Sequence, residues 1–281
     1  MPFVMNRSLP VVLVSLALLG AGPDPPRPAS DLDKFRYQPS KIRVNEVAHY
    51  IKSNLDGSKP TRVSIFVVAP DRLEVAKVEN DVNDAAWVRA HFDWKLFTSD
   101  RMEAAVINLD RSIEERASFA VDRAKGAVDV TVGDRKGSAA WKQLPFHVYN
   151  FDFTSLNFAW RHLVDPKAPF EIGIIDPTFQ KDGPPIFYRG DARIVYTGED
   201  EIHGKTCRSY RISGPGIGGT TGTIWWDPKS GWLEKVEIPF RDNPDWNSFK
   251  LELEGIELMT PAAWKKYVAD SLAKANAANA K

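Results

Sequence analysis

From about residue 41 onward, apolar and polar positions alternate with a period of two, the pattern of strands that bury one face. The clearest run sets Val88, Ala90, Phe92, Trp94 and Leu96 on one side and Arg89, His91, Asp93 and Lys95 on the other. Shorter runs repeat it at Val63, Ile65 and Val67, at Ala105, Ile107 and Leu109, at Ala117, Phe119 and Val121, and at Val128, Val130 and Val132. Asp56-Gly57, Pro70-Asp71 and Gly133-Asp134 punctuate these runs. Such connections are too short for a crossover helix, so the pattern predicts an antiparallel meander. A second block of strands is predicted at 192–197, 206–212, 221–226, 232–238 and 249–256. Asp227-Pro228-Lys229-Ser230-Gly231 forms a hairpin tip within it, where Pro presets φ and Gly accepts a positive one. Both blocks read as parts of one sheet.

The period changes to that of a helix twice. Over 152–164, Asp152 is placed to cap, Phe151 and Leu156 have staple spacing, and Leu156, Ala159, Trp160 and Leu163 form one apolar stripe. Over 260–277, Thr260 is placed to cap, Pro261 fits the first helical position, and Trp264, Tyr267 and Val268 share a face before an Ala/Asn-rich tail that is expected to fray. The fold class is therefore mainly β (α+β): a large curved antiparallel sheet, a partly closed half-barrel, wrapped around one or two helices. The reason is twist, since a sheet of about ten right-twisted strands coils and wraps around something. The expected divisions are a leader at 1–22, a Pro-rich linker at 23–40, a β domain at 41–258 carrying the inserted helix, and the C-terminal helix.

The leader has the order of a secretory signal peptide: Arg7, an apolar run from Leu9 to Leu19, then Gly20-Ala21-Gly22. That run is about half the length needed to span a bilayer, so export with cleavage into the periplasm or medium is expected. The only cysteine is Cys207, which leaves no residue for a lipid anchor at the cut and no internal disulfide. Formal net charge is 0, from 37 basic and 37 acidic residues, which argues against nucleic acid as a partner.

There are nine Trp and fifteen Phe residues, several of them on these apolar faces. They either line a hollow that shelters an apolar ligand or fill the core outright. The candidate ligand-binding residues are Phe92, Trp94, Leu156 and Trp160. No catalytic residue and no metal ligand is assigned, and no cofactor is expected. Gly214, Gly216 and Gly219 spell a dinucleotide fingerprint, but strands flank it where a helix should follow. Ser271 and Lys274 match a Ser-x-x-Lys pair without its companion motifs. The five histidines include no pair at metal-ligand spacing. His91 and Asp93 read as a solvated pair on one strand face, and Glu114, Glu115 and Arg116 as a charged turn.

Ile202-His203-Gly204-Lys205-Thr206-Cys207, then Gly222-Thr223-Ile224-Trp225-Trp226-Asp227, then Gly231-Trp232-Leu233-Glu234-Lys235-Val236-Glu237, together with Asp152, Ser155 and Leu156, resemble a family of uncharacterised exported bacterial proteins. Its members look like distant relatives of the lipoprotein-localisation carriers, and the resemblance covers about residues 149–256. It implies a curved antiparallel sheet around helices in an envelope protein that holds lipid or acyl chains, with no catalytic residue transferred. The functional expectation is an exported, non-enzymatic protein binding a hydrophobic ligand in a concave cavity. The alternative is a structural or interaction module that meets an envelope protein partner.

Overall fold

The computed structural model describes residues 28–79, 84–178, 182–241 and 246–279; the leader at 1–22 lies outside them. The strands are β1 (Ala29–Ser30), β2 (Glu46–Ser53), β3 (Thr61–Ala69), β4 (Arg72–Glu79), β5 (Asp84–Asp93), β6 (Thr98–Asn108), β7 (Ile113–Asp122), β8 (Ala127–Val132), β9 (Arg135–Ala140), β10 (Gln143–Leu144), β11 (Phe146–His147), β12 (Phe170–Pro177), β13 (Ile186–Ile202), β14 (Lys205–Ser213), β15 (Thr221–Trp226), β16 (Leu233–Ile238) and β17 (Phe249–Leu258). The helices are α1 (Thr154–Trp160) and α2 (Pro261–Asn279).

Fifteen of these strands form one sheet in the order β11-β12-β13-β14-β15-β16-β17-β2-β3-β4-β5-β6-β7-β8-β9. The two blocks expected from the sequence join where β17 runs antiparallel to β2, with Leu253 opposite Tyr50 and Ile256 opposite Ala48. All neighbours in the sheet are antiparallel except β11 and β12. The sheet is an open half-barrel whose far edge curls back: a Cβ added at Gly137 of β9 would lie 2.6 Å from Pro185 Cγ, just ahead of β13. Only a glycine lets the edge come that close.

The two helices occupy opposite faces. α1 lies inside, every residue buried, and packs in one core with Ala48, Tyr50, Val63, Ile65, Val75, Phe92 and the inward residues of β12 to β16. α2 lies outside, its Trp264 and Val268 against Val47, Phe66 and Ala76 and its Leu272 against Val78 and Ala85. The hollow is thus wrapped around one helix, while the second shields the convex side. Thr260 caps α2 as expected, its Oγ1 accepting from Ala263 N at 3.2 Å. The Ala/Asn-rich tail stays helical to Asn279. No helix among the described residues is long and apolar enough to cross a membrane.

Several expectations need correction. Asp152 does not cap α1: Asp152 and Phe153 both take left-handed backbone (φ 52°), and the helix begins at Thr154 with no side-chain cap. The alternating run over 88–96 ends at Asp93, because Asp93 Oδ1 accepts from Lys95 N at 2.8 Å and turns the chain. A bulge between His91 and Phe92 separates His91 from Asp93; His91 pairs with Asp100 at 2.6 Å, while Asp93 is buried and holds Arg123. Glu114, Glu115 and Arg116 belong to β7 rather than a turn. From Pro28 the Pro-rich segment is part of the fold: β1 pairs with β10, and Phe35 is buried against Phe97 and Phe170.

Candidate functional site

The hollow has two ends of different character. At the first, β5 delivers Phe92 and the following turn delivers Trp94, whose indole Nε1 donates to Pro70 O at 3.1 Å. Trp94 stacks within 4.4 Å of Phe92, 4.5 Å of His162 and 4.6 Å of Tyr37 by ring centroids, with Phe158 of α1 at 5.3 Å. Rings at these separations meet tilted or edge-on and pack against one another. Leu156 and Trp160 are fully buried on α1, and Trp160 packs on Phe170 at 5.4 Å and Tyr210 at 4.9 Å. The structure therefore brings Phe92 and Trp94 together and sets Trp160 against β12 and β14. None of the four lines a cleft described below.

The other end is built from small residues. Ala86 and Val88 of β5, Met102 and Ala104 of β6, Ala117 and Phe119 of β7 and Val130 of β8 face an apolar cleft of about 150 Å³, closed by Val148, Asn150, Phe151 and Pro177. Alanines on three successive strands leave room between the sheet and the 148–151 segment. An enclosed apolar cavity of ~150 Å³ accepts a benzene-sized molecule; this cleft is open to solvent, with Ala86 exposed, so it seats one ring or a short stretch of chain while the rest of a larger ligand lies outside it. None of the large rings marks this cleft; Ala86, Ala104 and Ala117, on the concave face of an otherwise bulky pattern, line it.

One wall of this cleft is pinned electrostatically. The wholly buried Asp152 carboxylate lies 2.9 Å from Lys52 Nζ and 2.5 Å from Lys77 Nζ, and Lys77 also donates to Asn150 O at 2.9 Å. Burial pushes the Asp152 pKa up, but the two lysines outweigh it and the net shift is downward. The residue expected to cap a helix instead ties the 148–153 segment to β2 and β4, and left-handed backbone at Asp152 and Phe153 is the conformational cost.

Polar groups also position α1. Asn157 donates to Tyr50 Oη at 2.8 Å and accepts from Leu233 N at 2.9 Å, while Tyr50 donates to Leu233 O at 2.9 Å. His147 and Ser155 share a hydrogen bond of 2.9 Å. That pair is 0% and 1% exposed, so no substrate reaches the hydroxyl. Burial drives the His147 pKa down to about 3; burial, then Arg161 and Lys41, drive His162 to about 3 as well. Both imidazoles are neutral parts of the core. Cys207 is also buried, and burial lifts its thiol to about 11.

On the outer surface, His203 from the β13–β14 turn bridges Glu234 at 3.1 Å and Glu252 at 3.0 Å, and Lys205 reaches Glu234 at 2.8 Å. The charges satisfy one another. No group of three or more His, Cys, Asp or Glu side chains among the described residues is arranged to hold a metal ion. Gly214, Gly216 and Gly219 lie in the loop between β14 and β15, where no helix N-terminus follows for a pyrophosphate to use.

No protein-family model matches the chain, and no curated protein does. Similar solved structures include a Vibrio parahaemolyticus domain named for outer membrane lipoprotein sorting, 10% identical over 82% of this chain and 94% of its own, with a TM-score of 0.30. A Bacteroides fragilis protein named as exported, with a YmcC-like fold, is 14% identical over 80% of this chain and 99% of its own, at 0.27. A DUF1329 family protein from Desulfovibrio piger is 10% identical over 79% and 89%, at 0.27. Superpositions this loose leave the fold to be defined by the strand order and the site by its own geometry.

Proposed function

We propose that the protein is an exported, non-enzymatic module that binds a hydrophobic ligand on the concave face of the half-barrel, at the alanine-lined end. The observation that carries this reading is the apolar cleft of about 150 Å³, walled by inward side chains of β5 to β8 and by the pinned 148–151 segment. Burial of ligand methylenes there would contribute about 0.8 kcal/mol each. The leader pattern at 1–22 supports export, and the resemblance over 149–256 supports a lipid or acyl chain as the ligand class.

Displacement of the uncharged dye N-phenylnaphthylamine from the folded protein by lipids tests the reading. One saturable dye site, emptied by acyl-chain competitors, is the expected result; a protein that takes up neither dye nor lipid is not a carrier. Mass measurement of the mature N-terminus from an envelope preparation tests export, and a chain still starting at Met1 would contradict it. The second reading, a structural or interaction module, is favoured by the burial of Phe92, Leu156 and Trp160 and by the half-buried Trp94 ring against Phe92 and Phe158. It gains if no ligand enters the cleft.

A further inference from the structure

The convex face carries a second, larger recess. α2 buries Trp264, Val268 and Leu272 but leaves Ile113 54% exposed. Between the helix and β5 to β7 runs a groove of about 610 Å³, within the size range of small-molecule sites. Trp87, Ile107 and Ile113 of the sheet and Ala269 of α2 give it an apolar floor and wall.

Five charged residues stand around it, three cations and two carboxylates. Glu74 accepts from the Trp264 indole at 2.6 Å, and Lys266 pairs with Asp270 at 2.6 Å. The side chains of Arg111, whose field reaches Asp270, and Lys265 make no hydrogen bond or ion pair among the described residues. Two exposed cations thus border an apolar trough whose carboxylates are already engaged.

We propose that this outer groove binds a single-chain anionic amphiphile, a long-chain carboxylate, with its tail on Trp87, Ile107 and Ile113 and its head against Arg111 and Lys265. An extended peptide is a poorer fit, because β5, β6 and β7 are each paired on both sides and offer no free backbone edge. A bilayer surface is a poorer fit too, because the apolar floor is recessed between helix and sheet. The inference does not depend on the concave site.

The test is a calorimetric titration of dodecanoate, below its micelle concentration, into the Ala104→Trp protein, whose inner cleft is filled. One equivalent should bind. Arg111→Glu combined with Lys265→Glu, both at exposed positions, should weaken it about tenfold through reversed rim charges, and Ala269→Trp should weaken it further by filling the groove. Dodecyltrimethylammonium, with the same tail and the opposite charge, should bind at least about tenfold more weakly. Dodecanoate binding unchanged in both groove variants, or equal binding of the cationic amphiphile, would overturn the proposal. So would co-sedimentation with phosphatidylglycerol vesicles in the absence of dodecanoate binding, which would reassign the face to a membrane surface.

Discussion

Strand β5 contributes to both ends of the hollow, and the ends differ in what the chain puts on their inward faces. β5 carries Phe92 toward one end and Ala86 and Val88 toward the other, and β6 carries Met102 and Ala104. Where the inward residues are rings, α1 and the 35–37 segment meet them and the space closes, with Trp94 at the centre of the cluster. Where they are alanine, a cleft remains between β5 to β7 and the 148–151 segment. Room for a ligand in this fold comes from side-chain volume that is missing, whereas stability comes from the volume that is present. The two properties are therefore separable by mutation.

The largest expected effect lies at the plugged end. Trp160→Ala or Phe92→Ala should cost about 3–5 kcal/mol in urea unfolding, with dye affinity per folded molecule unchanged. Loss of dye binding in a Phe92→Ala protein that is still folded would merge the two ends into one site.

Next comes the electrostatic pin. Asp152→Asn leaves Lys52 and Lys77 without their shared carboxylate and should cost about 3 kcal/mol, and it should also weaken dye binding by loosening the 148–153 wall. Because the folded pKa of Asp152 is depressed, its contribution is present above the ordinary carboxylate pKa of ~4 and is lost as pH falls through the lower folded value. An Asp152→Asn protein as stable as the parent at pH 7 would show that the lysines do not use it.

A third effect distinguishes the core histidines. His147 and His162 titrate near 3 when folded and near ~6.5 when unfolded. Between those values the unfolded chain binds protons that the folded chain refuses, so stability falls as pH drops, by up to about 1.4 kcal/mol per pH unit for each histidine. Urea midpoints measured at pH 7.5, 5.5 and 4.5 should decline, and His162→Asn, which keeps an acceptor for Gln38 N, should flatten the decline. A midpoint independent of pH over this range would mean that the imidazoles are not held neutral.

Much of the architecture was legible because strand alternation and turn residues are local. The Asp56-Gly57, Pro70-Asp71 and Gly133-Asp134 turns all join consecutive strands as read, and the 227–231 tip joins β15 to β16 with Gly231 at φ 79°. The placement of the helices was less legible. The apolar stripes of α1 and α2 look alike, yet one is buried on all sides and the other on one. Asp152 was misread because a cap and a buried ion-pair partner have the same sequence appearance, and its lysines lie 100 and 75 residues away in β2 and β4. The site was least legible, since an alanine in a strand is silent until the opposing wall is known.

Ala104→Trp is the smallest change to the fold and the sharpest test of the comparison. Titration of N-phenylnaphthylamine into the parent, Phe92→Ala and Ala104→Trp proteins, each carrying Ala269→Trp to fill the outer groove and each shown to be folded by its unfolding transition, should give one saturable site in the first two. The third should have none, while its stability stays within about 1 kcal/mol of that parent, as expected at an open, half-buried position. Dye binding that survives Ala104→Trp and disappears in Phe92→Ala would contradict the account and move the ligand to the aromatic end.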